Sequence, residues 1–125
     1  MKLRAVIGEW IFWLARLAVV GFALRWTVKH MPFLIPAHTL HETATLVAFE
    51  HPRPSYRVHV VLLPRAAYRN LLEVPEDADD FRRDLFTTTQ YLVGVFHLEE
   101  TGYRLIVNGG AYQDVPVLHF HFIAE

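Results

Sequence analysis

Three histidines carry the chemistry for which this sequence is equipped. His119 and His121 are one residue apart. On a strand, where side chains alternate with a period of two, both imidazoles project from the same face, along with Val117, while Leu118, Phe120 and Phe122 point to the other. A third, His59, stands near the start of the apolar run Val58–Leu63. Imidazole titrates near neutral pH, so it serves as a nucleophile, a proton carrier or a metal ligand. Three such rings brought together fit either group transfer through a covalent histidine or a three-imidazole zinc centre. The chain has no cysteine, which excludes disulfides, thiolate nucleophiles and cysteine-based zinc sites.

The elements that must position these rings follow from pattern. Leaving Leu118, Phe120 and Phe122 wet would cost roughly 1.5–3 kcal/mol each, so their face is the core face and the histidines look elsewhere. Leu105-Ile106-Val107 reads as a strand ending in the turn signal Asn108-Gly109-Gly110, and Val115–Ile123 as its partner. Glu42–Glu50 is strand-like, His51-Pro-Arg-Pro is a turn of restricted backbone, and Val58–Leu63 is a central strand. A short helix is expected over Ala66–Leu72, packed through Leu71 and Leu72. A longer one is expected over Asp77–Glu99, with Phe81, Leu85, Thr88, Leu92, Val95 and Phe96 at helical spacing. The acidic residues of its first turn complement the helix dipole and need no catalytic role. The fold class is α+β: an antiparallel sheet of about five strands with one long and one short helix.

Three blocks of this sequence resemble the histidine triad (HIT) family of nucleotide hydrolases and transferases. They are Leu46-Val47-Ala48-Phe49-Glu50-His51-Pro52-Arg53-Pro54, then Val58-His59-Val60-Val61-Leu62-Leu63-Pro64-Arg65, then Gly102-Tyr103-Arg104-Leu105-Ile106-Val107-Asn108 with Gln113 and the His119-x-His121 pair. They occur in the family's order and cover residues 40–125. The resemblance implies that His119 is the nucleophile, forming a nucleotidyl-histidine that water hydrolyses, and that His121 and His59 contact the phosphate and help the leaving group. It implies that Asn108 and Gln113 are amide donors to the phosphates and that Phe49 lines a nucleoside pocket. It implies a homodimer, and it names no cofactor and no metal. Three positions depart from the pattern: Val117 stands where the first triad histidine does, Asp114 replaces a small hydroxyl residue beside the phosphate, and His51 replaces an acidic residue that holds the ribose.

With 53% apolar and 20% charged residues, this 125-residue chain is not disordered, and its size suits one modest domain. A net charge of −1 and no basic stripe with interleaved aromatics argue against a nucleic-acid partner. Residues 1–30 are of another kind. Val6–Trp26 holds ten Leu, Ile, Val or Phe residues and three tryptophans, with Glu9 and Arg16 well inside the run, Arg25 at its end, and Lys2, Arg4 and Lys29 beyond it. Ten such residues favour insertion by about 3–6 kcal/mol, and a mid-span arginine opposes it by about 2.5–3.5 kcal/mol. The segment reads as a membrane anchor, spanning or interfacial, against the alternative of an amphipathic helix used for dimerisation. Residues 31–39, with Pro32 and Pro36, read as a linker, and 40–125 as the HIT-like domain. A domain acting on nucleotides is expected on the cytoplasmic side.

The residues leave three functions open: a membrane-anchored hydrolase or nucleotidyl transferase acting on a nucleoside phosphoramidate or dinucleoside polyphosphate, a HIT-fold module that binds without turnover, or a metal site at His59, His119 and His121.

Overall fold

The computed structural model describes residues 38–125. The expected anchor over 1–30, and all but the end of the linker, lie outside them. Among the described residues no helix is long and apolar enough to cross a membrane.

Five strands, β1 (Thr39–Glu42), β2 (Leu46–Glu50), β3 (Val58–Pro64), β4 (Arg104–Val107) and β5 (Phe120–Ala124), form one antiparallel sheet in the order β1-β2-β3-β5-β4. One helix, α1 (Asp79–Val95), covers one face. This is the expected α+β, HIT-like arrangement. The alternation in β3 and β5 divides the two faces. Val58, Val60, Leu62, Phe120 and Phe122 pack under Phe81 and Leu92 of α1, whereas Phe49, Val61 and Val115 form a second, smaller apolar cluster. The histidine face is the side away from the helix.

Local polar chemistry moves several boundaries from where hydrophobic pattern puts them. The segment Glu42–Glu50 is a hairpin, not one strand. The Thr43 hydroxyl accepts from the backbone N–H of Thr45 and Leu46 at 3.1 and 3.0 Å and folds the chain back. The expected helix Ala66–Leu72 shrinks to a single 3₁₀ turn, Leu71–Glu73. There Asn70 caps Leu72 N at 3.0 Å, Glu73 takes the backbone N–H of Arg69 at 2.8 Å, and Leu72 is 93% exposed and not packed. The long helix stops at Val95 instead of Glu99 because His97 turns left-handed, with φ 55°. Its N–H bonds Gly94 O, and Leu98 N bonds Val93 O, a Schellman closure that buries Leu98 completely. In the last segment pairing starts only at Phe120. Leu118 N donates to Tyr68 O at 2.8 Å, so residues 115–119 run beside the 66–73 segment before joining the sheet.

Candidate active site

Strand register lays out the site as a grid. On the face away from α1, one row holds His59, Ile123 and Arg104, with His51 beside His59. The next holds Phe49, Val61, His121 and Ile106. Pairing of β5 begins at Phe120, opposite Leu62 of β3 and Val107 of β4, so His119 and Asn108 each directly adjoin this end of the paired region. The imidazoles of His59 and His121 are therefore diagonal neighbours across β3 and β5, and His119 and His121 are two apart on one chain. Their ring centroids lie 5.2 and 4.9 Å apart.

His51 is the fourth imidazole of the cluster. It follows β2 directly, its backbone N–H bonds His59 O at 2.8 Å, and its ring stacks on that of His59 with centroids 4.2 Å apart and planes inclined by 19°. On the other side, the ring of Tyr56 meets His59 edge-on at 5.6 Å.

Backbone groups fix which nitrogen of each neutral ring carries its proton, because an amide N–H only donates and a carbonyl only accepts. Val117 O lies 2.8 Å from His119 Nδ1, so that nitrogen is the donor and the lone pair of His119 sits on Nε2. Ser55 N–H donates to His59 Nδ1 at 3.2 Å, which puts the His59 proton on Nε2. His59 Nε2 is 3.0 Å from His121 Nδ1, so His59 donates there and the proton of His121 is on Nε2. Arg53 N–H donates to His51 Nδ1 at 3.1 Å, leaving His51 with Nε2–H. The result is one ring with its lone pair on Nε2 beside another with its N–H on Nε2.

Burial keeps the rings uncharged. It lowers the basicity of all four histidines, and for His59 and His121 neighbouring imidazoles add to the effect, bringing each to about 4. A neutral imidazole retains the lone pair that a nucleophile needs.

The other residues singled out from sequence fall into two groups. Asn108 directly follows Val107, the residue of β4 paired with Phe120, and Phe49, fully buried, lies in the row of His121 and anchors the apolar cluster beside the imidazoles. Gln113 uses its amide differently from the expected phosphate contact. Its Nε2 donates to Arg69 O and Val115 O at 2.6 and 2.9 Å, tying the 109–115 loop to the 66–73 segment. Asp114 is exposed and makes no ion pair among the described residues. His59, expected on the phosphate, directs its N–H to His121. Val117 packs into the apolar cluster through its side chain while its carbonyl orients His119, a role that needs no imidazole at this position. The three-histidine metal centre finds no support: among the described residues no group of histidines and carboxylates is disposed to hold a metal ion. His59 Nε2 and His121 Nδ1 face each other instead. Sequence reasoning missed Ser55 and Tyr56, and nothing in their identity marks a backbone amide or a ring edge as part of a site.

This geometry has counterparts of known family. The chain is 32% identical over 99 residues to an adenosine 5′-monophosphoramidase of Candida albicans, covering 73% of this chain and 63% of that protein. It is 28% identical over 89 residues to an uncharacterised HIT-like protein of Rickettsia prowazekii, covering 70% and 74%. Among solved structures, a HIT family hydrolase from Legionella pneumophila superposes with a TM-score of 0.66 at 26% identity, covering 72% of this chain and 82% of that one. A histidine triad nucleotide-binding protein from Candida albicans superposes with a TM-score of 0.62 at 29% identity, covering 81% and 71%. The HIT domain model matches residues 33–125, the whole of the sheet, the helix and the imidazole cluster, and the chain belongs to the HIT domain family.

Proposed function

We propose that this protein is a HIT-type nucleotide hydrolase or nucleotidyl transferase that works through a covalent nucleotidyl-histidine on His119. The observation that carries the reading is the hydrogen bond from His119 Nδ1 to Val117 O, which leaves the lone pair of a neutral ring on Nε2. His119 Nε2 attacks the α-phosphorus, and His121 donates its Nε2–H to a phosphoryl oxygen as charge builds there. Asn108, which follows Val107 at the end of β4, is the amide donor next to the reacting phosphate. His59 is a positioning residue that fixes the tautomer of His121, and His51 supports His59 from its other side. The apolar cluster around Phe49 forms the nucleoside side of the site. Substrates are a nucleoside phosphoramidate, the class named for the Candida albicans relative, or a dinucleoside polyphosphate. Val6–Trp26 anchors the domain to a membrane, with the site on the cytoplasmic side. The protein works as a homodimer: among the described residues β4 is an edge of the sheet with Leu105 exposed, and Phe86 projects from α1 at 69% exposure.

The test is intact-mass analysis of the full chain in detergent, mixed with adenosine 5′-phosphoramidate and quenched at alkaline pH. The expected result is a nucleotidyl adduct that His119→Ala lacks. Nucleotide binding without adduct or product would replace the enzyme reading with that of a binding module, in keeping with Val117 and Asp114.

A further inference from the structure

The described chain begins beside the imidazole cluster. Glu50 N–H donates to His38 O at 3.0 Å, and the next amide, His51 N–H, donates to His59 O at 2.8 Å. Consecutive residues at the end of β2 thus hold the incoming chain on one side and the histidine strand on the other. The backbones of His38 and His59 stand two strand spacings apart, about 10 Å. Residues 1–37 join the domain at this corner.

The linker limits how far the corner can stand from the proposed anchor. From residue 30 to His38 the chain spans at most about 29 Å when fully extended. A domain of this size is roughly 30 Å across, so the linker is too short to lead round it, and the corner with His38 is the part held toward the bilayer.

This corner presents the loop between β2 and β3, residues 52–57, every one of them exposed. The loop carries Arg53, Tyr56 and Arg57 and no acidic residue. Neither arginine makes an ion pair among the described residues, and Arg57 donates only to the backbone carbonyl of Glu125, at 3.2 Å. Arginine beside tyrosine suits a surface that meets anionic headgroups. Glu50 precedes the loop, whereas Glu99 and Glu100 follow Leu98, which is buried in the core under α1, and so belong to the helix side of this end. The opposite end of the sheet, separated by the length of β3 or about 20 Å, has the contrary charge. There the exposed Leu71 and Leu72 are accompanied by Glu73, Glu76, Asp77, Asp79 and Asp80, and Arg69, Arg82 and Arg83 are taken up by Glu73, Asp79 and Asp80.

We propose that the 52–57 loop docks on an anionic bilayer surface, with Arg53 and Arg57 among the lipid phosphates, and so holds the imidazole cluster at headgroup level. The proposal rests on the membrane anchor proposed above and adds the face that meets the lipid. A pair of arginines does not hold a free domain on a membrane, where stable attachment takes more than one signal. Tethering supplies the other: a short linker raises the effective concentration of the loop at the surface to the millimolar range, so a weak contact suffices. Docking places the imidazoles within the negative surface potential, where a soluble anionic nucleotide approaches against the field.

Because the chain has no cysteine, Ser55→Cys and Leu72→Cys each accept a single nitroxide label, and the first keeps the backbone N–H that His59 accepts. The experiment places the full chain in phosphatidylcholine nanodiscs, with or without phosphatidylglycerol, that also hold a lipid whose headgroup chelates nickel, and reads collision of each label with nickel by electron paramagnetic resonance. In anionic discs the label at 55 is expected to collide with the headgroup nickel and the label at 72 to escape it. Arg53→Ala and Arg57→Ala, each made in the Ser55→Cys chain, should lower the ratio of docked to free label about fivefold. Lysine at both positions should hold the ratio, and discs without phosphatidylglycerol should lose the docked signal. Equal collision at both labels, greater collision at 72, or a label at 55 indifferent to both arginines would overturn the docking face while leaving the anchor. A chain that stays in solution, apart from the discs, would overturn the anchor and the docking face together.

Discussion

Replacing His59 by Phe tests the tautomer argument directly. The change keeps a flat ring to stack on His51, at 4.2 Å in the parent, and removes the N–H that donates to His121 Nδ1. Once that partner is gone, the proton of a neutral His121 is free to move to Nδ1, and Nε2 then becomes an acceptor facing a phosphate. One hydrogen bond to a charged group is lost, about 1.5–3 kcal/mol, so kcat/KM should fall roughly 10- to 150-fold. His59→Gln restores an N–H donor near the same place and should recover most of the loss. The assay is steady-state hydrolysis of adenosine 5′-phosphoramidate at pH 7.5, combined with nitrogen chemical shifts of the His121 ring. Wild type should show His121 protonated at Nε2 and the Phe variant a mixture. If wild-type His121 carries its proton on Nδ1, or if Gln and Phe variants lose equal activity, the relay from Ser55 through His59 to His121 is refuted.

Two further outcomes follow from burial. The basicity of His51, His59, His119 and His121 is lowered in the folded chain, so the unfolded chain binds more protons between the ordinary histidine value near 6.5 and the folded values, about 4 for His59 and His121. Their contribution to stability is complete above 6.5 and is lost as pH falls toward 4; Tm by calorimetry should therefore drop between pH 7 and pH 5, and a flat profile would contradict the buried neutral cluster. The hydroxyl of Thr88, on the core face of α1, is fully buried and has no hydrogen-bond partner among the described residues. Thr88→Val keeps the shape and removes the unsatisfied group, so it should stabilise by about 1 kcal/mol, or about 4–8 °C in Tm for a domain of this size, and a lower Tm would mean that the hydroxyl has a partner after all.

Periodicity made much of this site legible in the sequence. The alternation from Val117 to Phe122 assigned both faces of β5 correctly, because three large apolar side chains on one face leave a strand only one way to turn. It did not show where pairing begins, since Leu118 N bonds the carbonyl of Tyr68 and that partner is fifty residues away. The hairpin at Thr43 and the 3₁₀ turn at Leu71 were lost for a related reason: both depend on side chains of Thr43, Asn70 and Glu73 that take backbone donors, and apolar pattern is blind to them. The position of His51 was visible only as a turn. Its stack on His59 is a consequence of one backbone hydrogen bond between neighbouring strands.

The departure at Val117 illustrates how a position can change its side chain and keep a backbone contact. What His119 takes from position 117 is a carbonyl oxygen, and every residue type supplies one. The isopropyl group meanwhile joins Phe49, Val61 and Val115 in the cluster under the imidazoles, so apolar contact stands where the family pattern has a polar ring, and the backbone that orients His119 is kept. More apolar surface here also excludes water from the rings, which favours their neutral forms. A lone pair on His119 Nε2 therefore depends more on the path of residues 115–119, held by Gln113 to Arg69 and by Leu118 to Tyr68, than on the identity of residue 117.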